Sequence, residues 1–98
     1  MTFRLSAAAE NDLTDIYLFG RKVFGLRQTE AYYDSLIRTF DLLSEFPTLG
    51  RIRYEVESPA YMHPFKSHLI FYLRDDNGIT ILRIRHASEN WSEAESDS

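Results

Sequence analysis

Hydrophobic positions recur along this chain with two different periods, one in each half. Between Ser6 and Glu45 the apolar side chains follow steps of three and four residues, which is the period of an amphipathic helix. From Arg51 onward they alternate with polar side chains or form one short continuous run, as they do in strands. The pattern therefore predicts a helical first half and a sheet-forming second half.

The first half predicts two helices joined by a tight turn. A short alternating strand, residues 2–6, ends at Ser6, a residue type that caps helix N-termini, and a helix then runs to Phe24 with Gly25 as its stop. Gly20 inside this helix indicates close approach of a neighbouring element. A second helix is predicted from about Arg27 to Glu45, and the short link makes the pair an antiparallel hairpin.

The second half predicts three or four antiparallel strands. Residues 51–57 alternate cleanly; residues 61–65 contain a proline, which confines that piece to an edge or a bulge; residues 68–73 are apolar on both faces and predict a central strand. Residues 75–78 form a turn that leads into a returning strand, 79–86. The predicted fold class is α+β: a short N-terminal strand and a helix hairpin packed on one face of a three- to four-stranded antiparallel sheet.

The returning strand has two different faces, which matter for function. Alternation assigns one face to the core and the other to solvent. The predicted core face carries Thr80, Leu82, Ile84 and His86, and the predicted open face carries Ile79, Ile81, Arg83 and Arg85, joined in one possible register by Arg51 and Arg53. Since both helices are already used on the core face, the open face is a predicted docking surface for an acidic partner. An ordinary solvated sheet face is the alternative.

Composition and charge narrow the function classes. A chain of 98 residues predicts a single domain, taken as residues 1–91, followed by an acidic tail, residues 92–98, that is expected to fray. The absence of cysteine excludes disulfide scaffolds, cysteine-ligated metals and thiol nucleophiles. The formal charge of −4 gives no basic excess of the kind that phosphate binding needs, so a protein partner is favoured over a nucleic acid. No apolar run predicts a membrane span and the N-terminus does not resemble a signal peptide, so we expect a cytoplasmic protein.

Motifs along nearly the whole chain, residues 3–91, resemble the RelE/ParE toxin superfamily and specifically its ParE branch. The segments that carry the resemblance are Arg4-Leu5-Ser6-x-x-Ala9 with Asp12-Leu13-x-x-Ile16, Gly25 with Ala31-Tyr32-Tyr33, Phe46-Pro47-x-x-Gly50-Arg51-x-Arg53, Ser67-His68-Leu69-Ile70-Phe71-Tyr72 and Ile81-Leu82-Arg83-Ile84-x-His86. Each of these segments is a weak indication by itself; the resemblance rests on their common order and spacing along the chain.

The resemblance implies a toxin of a type II toxin–antitoxin pair. Such toxins are neutralised by a small antitoxin, here expected to be ParD-like, whose flexible C-terminal part folds along the toxin, and members of the ParE branch inhibit DNA gyrase by protein contact without being enzymes. The implied antitoxin contacts are Ile81, Arg83, Arg85, Arg51 and Arg53. Arg83 and the Trp91 segment are the implied target contacts, without sequence-specific nucleic-acid binding.

Members of the RelE branch instead cut messenger RNA on the ribosome, and this is the alternative function. The matching residues would be Arg83, His86 and Lys66, with His86 replacing the closing tyrosine that this sequence lacks. A domain that binds antitoxin but has lost its toxicity is a third possibility. The three histidines are too dispersed for a metal site, and no motif predicts a cofactor.

Overall fold

The computed structural model describes residues 2–53 and 60–88 of the chain. Five strands, two helices and one 3₁₀ turn follow one another along them. Their bounds are β1 Thr2–Leu5, α1 Ala7–Phe24, α2 Leu26–Glu45, the 3₁₀ turn Pro47–Leu49, β2 Arg51–Arg53, β3 Ala60–Phe65, β4 His68–Asp75 and β5 Gly78–His86. The predicted continuation of β2 through residue 57, Trp91 and the acidic tail lie outside the described residues.

The strands form one mixed sheet in the order β1-β5-β4-β3-β2. β2 to β5 make an antiparallel meander, and β4 lies at its centre as its two-sided apolar pattern predicts. β1 pairs in parallel with β5, from Thr2 opposite Gly78 to Leu5 opposite Ile81. The predicted α+β class and the antiparallel sheet of up to four strands are confirmed; in addition, the N-terminal strand joins that sheet as a parallel fifth strand, so the whole sheet is mixed.

The helix hairpin is closed by glycines at two positions. Gly25 alone links α1 to α2 and has φ +90°, a conformation that side chains rarely adopt. Gly20 faces Thr29 of α2 so closely that an added Cβ would lie 2.8 Å from the Thr29 hydroxyl oxygen. The predicted hairpin and the close approach at Gly20 are both confirmed.

The helices pack on one face of the sheet and enclose the core. Buried side chains from both layers form it: Ala9, Leu13, Leu36, Phe40 and Leu43 from the helices, and Ile70, Tyr72, Ile79, Ile81 and Ile84 from β4 and β5. α1 lies mainly against β5, and α2 lies against β1 and β5. Neither helix among the described residues is long and apolar enough to cross a membrane.

A β-bulge in β5 reverses the predicted assignment of faces for residues 79–82 and leaves it unchanged for the residues that follow. Tyr72 pairs with Ile81 and Phe71 with Arg83, so Leu82 is an extra residue between the two pairs. Because one inserted residue shifts the alternation, Ile79 and Ile81 face the core on one side of the bulge and Ile84 faces it on the other. The predicted open position of Ile79 and Ile81 is therefore wrong, and so is the predicted core position of Thr80 and Leu82.

The hydroxyl of Tyr72 joins the sheet to the turn that follows α2. It donates a hydrogen bond to the Pro47 carbonyl at 2.7 Å and accepts one from the Gly50 amide at 2.9 Å. Burial of the ring raises the pKa of Tyr72 above its ordinary value, so the hydroxyl stays protonated and keeps its donor. The same side chain fills the core and orients the entry into β2.

Replacing Tyr72 by phenylalanine removes both hydrogen bonds while keeping the ring. We expect the free energy of unfolding to fall by about 1–3 kcal/mol, since two backbone groups lose their partner. For a domain of this size each kcal/mol corresponds to a fall in melting temperature of about 4–8 °C. Tyr61→Phe is the matched control, because the Tyr61 ring stacks on Tyr72 but its hydroxyl only accepts from exposed Arg74 at 3.4 Å. Equal melting temperatures for the two variants would contradict this role of Tyr72.

Candidate interaction surfaces

β1 is shorter than β5, and this leaves the second half of β5 without a strand neighbour on one side. Ser6, the first residue after β1, takes over the pairing: its amide donates to the Ile81 carbonyl at 2.9 Å and its hydroxyl donates to the Leu82 carbonyl at 2.8 Å. The same hydroxyl accepts the Ala9 amide at 3.0 Å and so caps α1. One serine therefore ends the strand pairing and begins the helix.

Asp12 of α1 continues this edge one step further. Its carboxylate accepts the Ile84 amide at 2.9 Å and also receives two hydrogen bonds from the Arg83 guanidinium, at 2.8 and 3.1 Å. This is the two-pronged geometry in which arginine binds a carboxylate most strongly. The Asp12 side chain is 12% exposed and that of Arg83 is 43% exposed, so the ion pair lies at the protein surface, between α1 and β5. We call Ser6 and Asp12 with their β5 partners the edge clamp.

The sheet face opposite the helices is apolar at its centre and carries arginines around it; we call it the open sheet face. Residues paired across a ladder share a face. The register groups the half-buried side chains of Met62, Leu69, Phe71 and Leu73 with the positions of Arg4, Arg51, Arg53, Arg83 and Arg85. None of these residues belongs to the core. Within the described residues, both helices and the Tyr72-bound turn lie on the other side.

The two arginines at the end of β5 share a strand face, and one of them also binds α1. Arg83 pairs with Phe71 and Arg85 with Leu69, both positions of the open sheet face, so the predicted row of the two arginines on one face agrees with the register. The Arg83 guanidinium nevertheless binds Asp12 of α1, because α1 approaches the unpaired edge of β5. Ile81 is completely buried and is removed from the predicted contact residues. Arg51 and Arg53 lie on β2, and Arg51 is exposed.

A cleft of about 530 Å³ opens between the helix hairpin and the ends of β4 and β5; we call it the hairpin cleft. Its apolar lining comes from Ile16, Phe19 and Phe24 of α1 and from Ile84 of β5. Phe19 and Phe24 are 63% and 56% exposed, so much of this apolar surface is uncovered among the described residues. Asp15 and Gln28 supply polar groups at its border.

A cluster of rings lies where the cleft meets the sheet. The Tyr32 hydroxyl lies 2.6 Å from His68 Nδ1, and the His68 ring meets the His86 ring edge to face with centroids 5.3 Å apart. Burial raises the pKa of Tyr32, so its hydroxyl remains a donor near neutral pH. The Ser88 amide donates to His86 Nδ1 at 3.1 Å. The Lys66 ammonium lies 5.5 Å from the centroid of the Tyr32 ring.

The residues of the ribonuclease alternative make separate contacts in this arrangement. Arg83 is bound to Asp12, whereas His86 contacts His68 and Ser88, and Lys66 lies over aromatic rings. Across residues 2–53 and 60–88, no three His, Asp or Glu side chains come together as metal ligands. The third histidine, His63, lies on β3, where burial lowers its pKa, so it remains neutral near neutral pH.

Asp12, Tyr32 and the apolar centre of the open sheet face are site residues that the sequence reasoning did not assign. The alternation of Leu69, Phe71 and Leu73 was a readable signal for the apolar centre. Asp12 gave only the signal of an acid in the first turns of a helix, which is common. Its contact with Arg83 spans 71 residues of sequence and depends on the fold.

Comparisons with known proteins agree on one family. The family model described as the ParE toxin of the type II toxin–antitoxin system parDE matches residues 3–91. Toxin ParE1 of Caulobacter vibrioides is 30% identical over 88 residues, which cover 90% of this chain and 91% of that protein. A solved structure described as the chromosomal ParDE TA system from P. aeruginosa has a TM-score of 0.73 at 19% identity, covering 88% of this chain and 95% of that one. At this identity the structural match supports the fold.

Replacing Asp12 by alanine tests the edge clamp. The Ile84 amide and the Arg83 guanidinium both lose their acceptor, so we expect the free energy of unfolding to fall by about 1–3 kcal/mol in chemical denaturation. Asp12→Asn retains an acceptor oxygen without the charge, and an intermediate loss is expected. Asp15→Ala, on the exposed side of the same helix, is the control with an expected change of at most about 0.5 kcal/mol. Equal losses for Asp12→Ala and Asp15→Ala would show that the clamp contributes nothing.

Proposed function

This chain belongs to the ParE toxin family of type II toxin–antitoxin systems, and on that premise we propose that it is a non-enzymatic toxin of the cytoplasm that inhibits DNA gyrase by protein contact and is neutralised by a ParD-like antitoxin. The observation that carries the proposal is the open sheet face, where an apolar centre is bordered by arginines and no described element of the chain packs on it. Such a surface favours a macromolecular partner.

The antitoxin would cover this face with an apolar and acidic segment. Leu69 and Phe71 provide a continuous apolar strip, and Arg85 pairs with Leu69 on the neighbouring strand. Arginine is suited to this position because its planar group stacks on apolar surface while it binds carboxylates. Exposed Arg51 extends the positive border to the far edge of the sheet, and the position of Arg53 follows on the same strand. Acidic segments would be attracted to this border, and wrong partners of like charge would be repelled.

The gyrase contact is proposed at the end of β5 and the segment that carries Trp91. Arg83 lies near the end of β5, and its side chain is 43% exposed even while it is bound to Asp12. It is therefore accessible to a partner. Its pairing also argues against enzymatic chemistry. An arginine that stabilises a developing phosphorane charge must be available to the substrate, and this one already binds a carboxylate through two nitrogen atoms.

Charge reversal at Arg85 tests the antitoxin surface. With the antitoxin encoded beside this chain's gene, we expect Arg85→Glu to weaken binding at least about tenfold in calorimetry, since a favourable charge contact becomes repulsive. The loss should shrink as salt is raised, because screening weakens the repulsion. Arg38→Glu makes the same charge change at an exposed position of α2 and should leave the affinity unchanged. Equal affinities for the two variants would place the antitoxin elsewhere.

Supercoiling by purified gyrase tests the target. We expect the chain to inhibit supercoiling and to promote gyrase-dependent DNA cleavage, and pre-incubation with the antitoxin should abolish both effects. Unchanged supercoiling at excess toxin rejects gyrase as the target. Transcript ends mapped after induction are the parallel measurement: new cleavage that is lost in His86→Ala would favour the ribonuclease alternative instead. Unaffected growth after expression without antitoxin would indicate a binding domain without toxicity.

A further inference from the structure

We propose that the hairpin cleft is the binding site for the chain's own C-terminal segment, with the indole of Trp91 as the group that enters it. The inference concerns where the segment binds, and it holds for any cellular target. It makes Trp91 a positioning residue for the segment that follows β5.

The cleft offers what a large aromatic side chain requires. Its volume of about 530 Å³ lies within the range of small-ligand sites, and Ile16, Phe19 and Ile84 provide apolar contact on both sides. A tryptophan side chain hides roughly 150–250 Å² when it is buried, which is a strong driving force for a chain of this size. Its indole N–H needs an acceptor, and Asp15 and Gln28 border the cleft with side-chain oxygens.

The direction of the chain brings Trp91 to this place. The Ala87 amide donates to the Ser67 carbonyl at 2.7 Å, and the Ser88 amide then turns back to His86 Nδ1. Ser67 and His86 both line the cleft, so the last described residue lies at its mouth. Three residues span at most about 10 Å in an extended chain. Trp91 is therefore within reach of the apolar lining without any change in β5.

The segment has one side chain suited to an apolar cleft. Residues 87–98 contain Trp91 as their one large apolar residue, and the rest are small or polar. Glu89 and Glu93 flank Trp91 in the sequence, and their charged groups would remain in solvent. The Asp12 charge is already neutralised by Arg83.

A segment tethered three residues away has a large advantage over an external occupant. Short flexible tethers produce effective concentrations of the order of millimolar, which exceeds the concentration of a second copy of this chain in dilute solution. The tethered segment is therefore the occupant to which the proposal commits. A second copy would show itself through a dependence on protein concentration.

Fluorescence of Trp91 provides a direct test, because the chain contains a single tryptophan. In the full chain we expect emission that is blue-shifted, and less quenched by acrylamide, relative to a synthetic peptide of residues 87–98. Phe19→Glu, at a residue 63% exposed, should return both properties to those of the peptide while circular dichroism shows an intact fold. Leu42→Glu is the matched control, since Leu42 is 43% exposed near the other end of α2, and it should leave the emission unchanged.

A proximity measurement supports the test without placing a charge in the cleft. The chain has no cysteine, so Gln28→Cys can be labelled with bimane, whose emission tryptophan quenches on contact. We expect quenching at position 28 that is lost in Trp91→Phe and absent when the label is at Leu42→Cys. Emission and quenching identical to those of the free peptide would overturn the proposal. Protection that appears only at high protein concentration would also overturn it, because the occupant would then belong to another copy.

Discussion

The structure depends on how the unpaired half of β5 is closed. β1 ends at Leu5, and without a substitute the amides and carbonyls of the next β5 residues would face α1 with no partner. Ser6 and Asp12 supply that partner from the beginning of α1. These two contacts fix the position and the orientation of α1 relative to β5, because both the N-cap residue and the second turn of the helix bind the strand. The hairpin cleft and the open sheet face take their shapes from this attachment.

The β-bulge in β5 determines which residues of this strand face the core. The bulge at Leu82 changes the phase of β5, so that Ile79 and Ile81 before it face the core while Arg83 and Arg85 after it pair with open-face residues. Without the extra residue the two isoleucines and the two arginines would share one face. The Arg83 guanidinium binds Asp12 across the unpaired edge of β5 and so joins the sheet to α1.

Much of this fold was predictable from periodicity, whereas the arrangement where β1, β5 and α1 meet was not. The hairpin at Gly25, the close approach at Gly20 and the central position of β4 follow from local patterns whose physical causes act within a few residues. The parallel pairing of β1 joins residues about 76 apart, and the single extra residue at Leu82 leaves the composition of β5 unchanged. Alternation therefore assigned Ile81 to the wrong face. Arg83 and Arg85 both follow the bulge, so they keep the common face that alternation assigns to them.

A chain of this size with both helices on one side of its sheet cannot cover all of its apolar surface. The open sheet face keeps Leu69 and Phe71 without a helix above them, and the hairpin cleft keeps Phe19 and Phe24 largely exposed. The two surfaces differ in shape: the first is a sheet face with arginine positions around an apolar strip, and the second is a cleft whose lining includes both Asp15 and Arg85. An extended or helical partner segment is suited to the first, and a single large side chain is suited to the second. On the two proposals made above, an antitoxin would bind the open sheet face while the C-terminal segment enters the hairpin cleft.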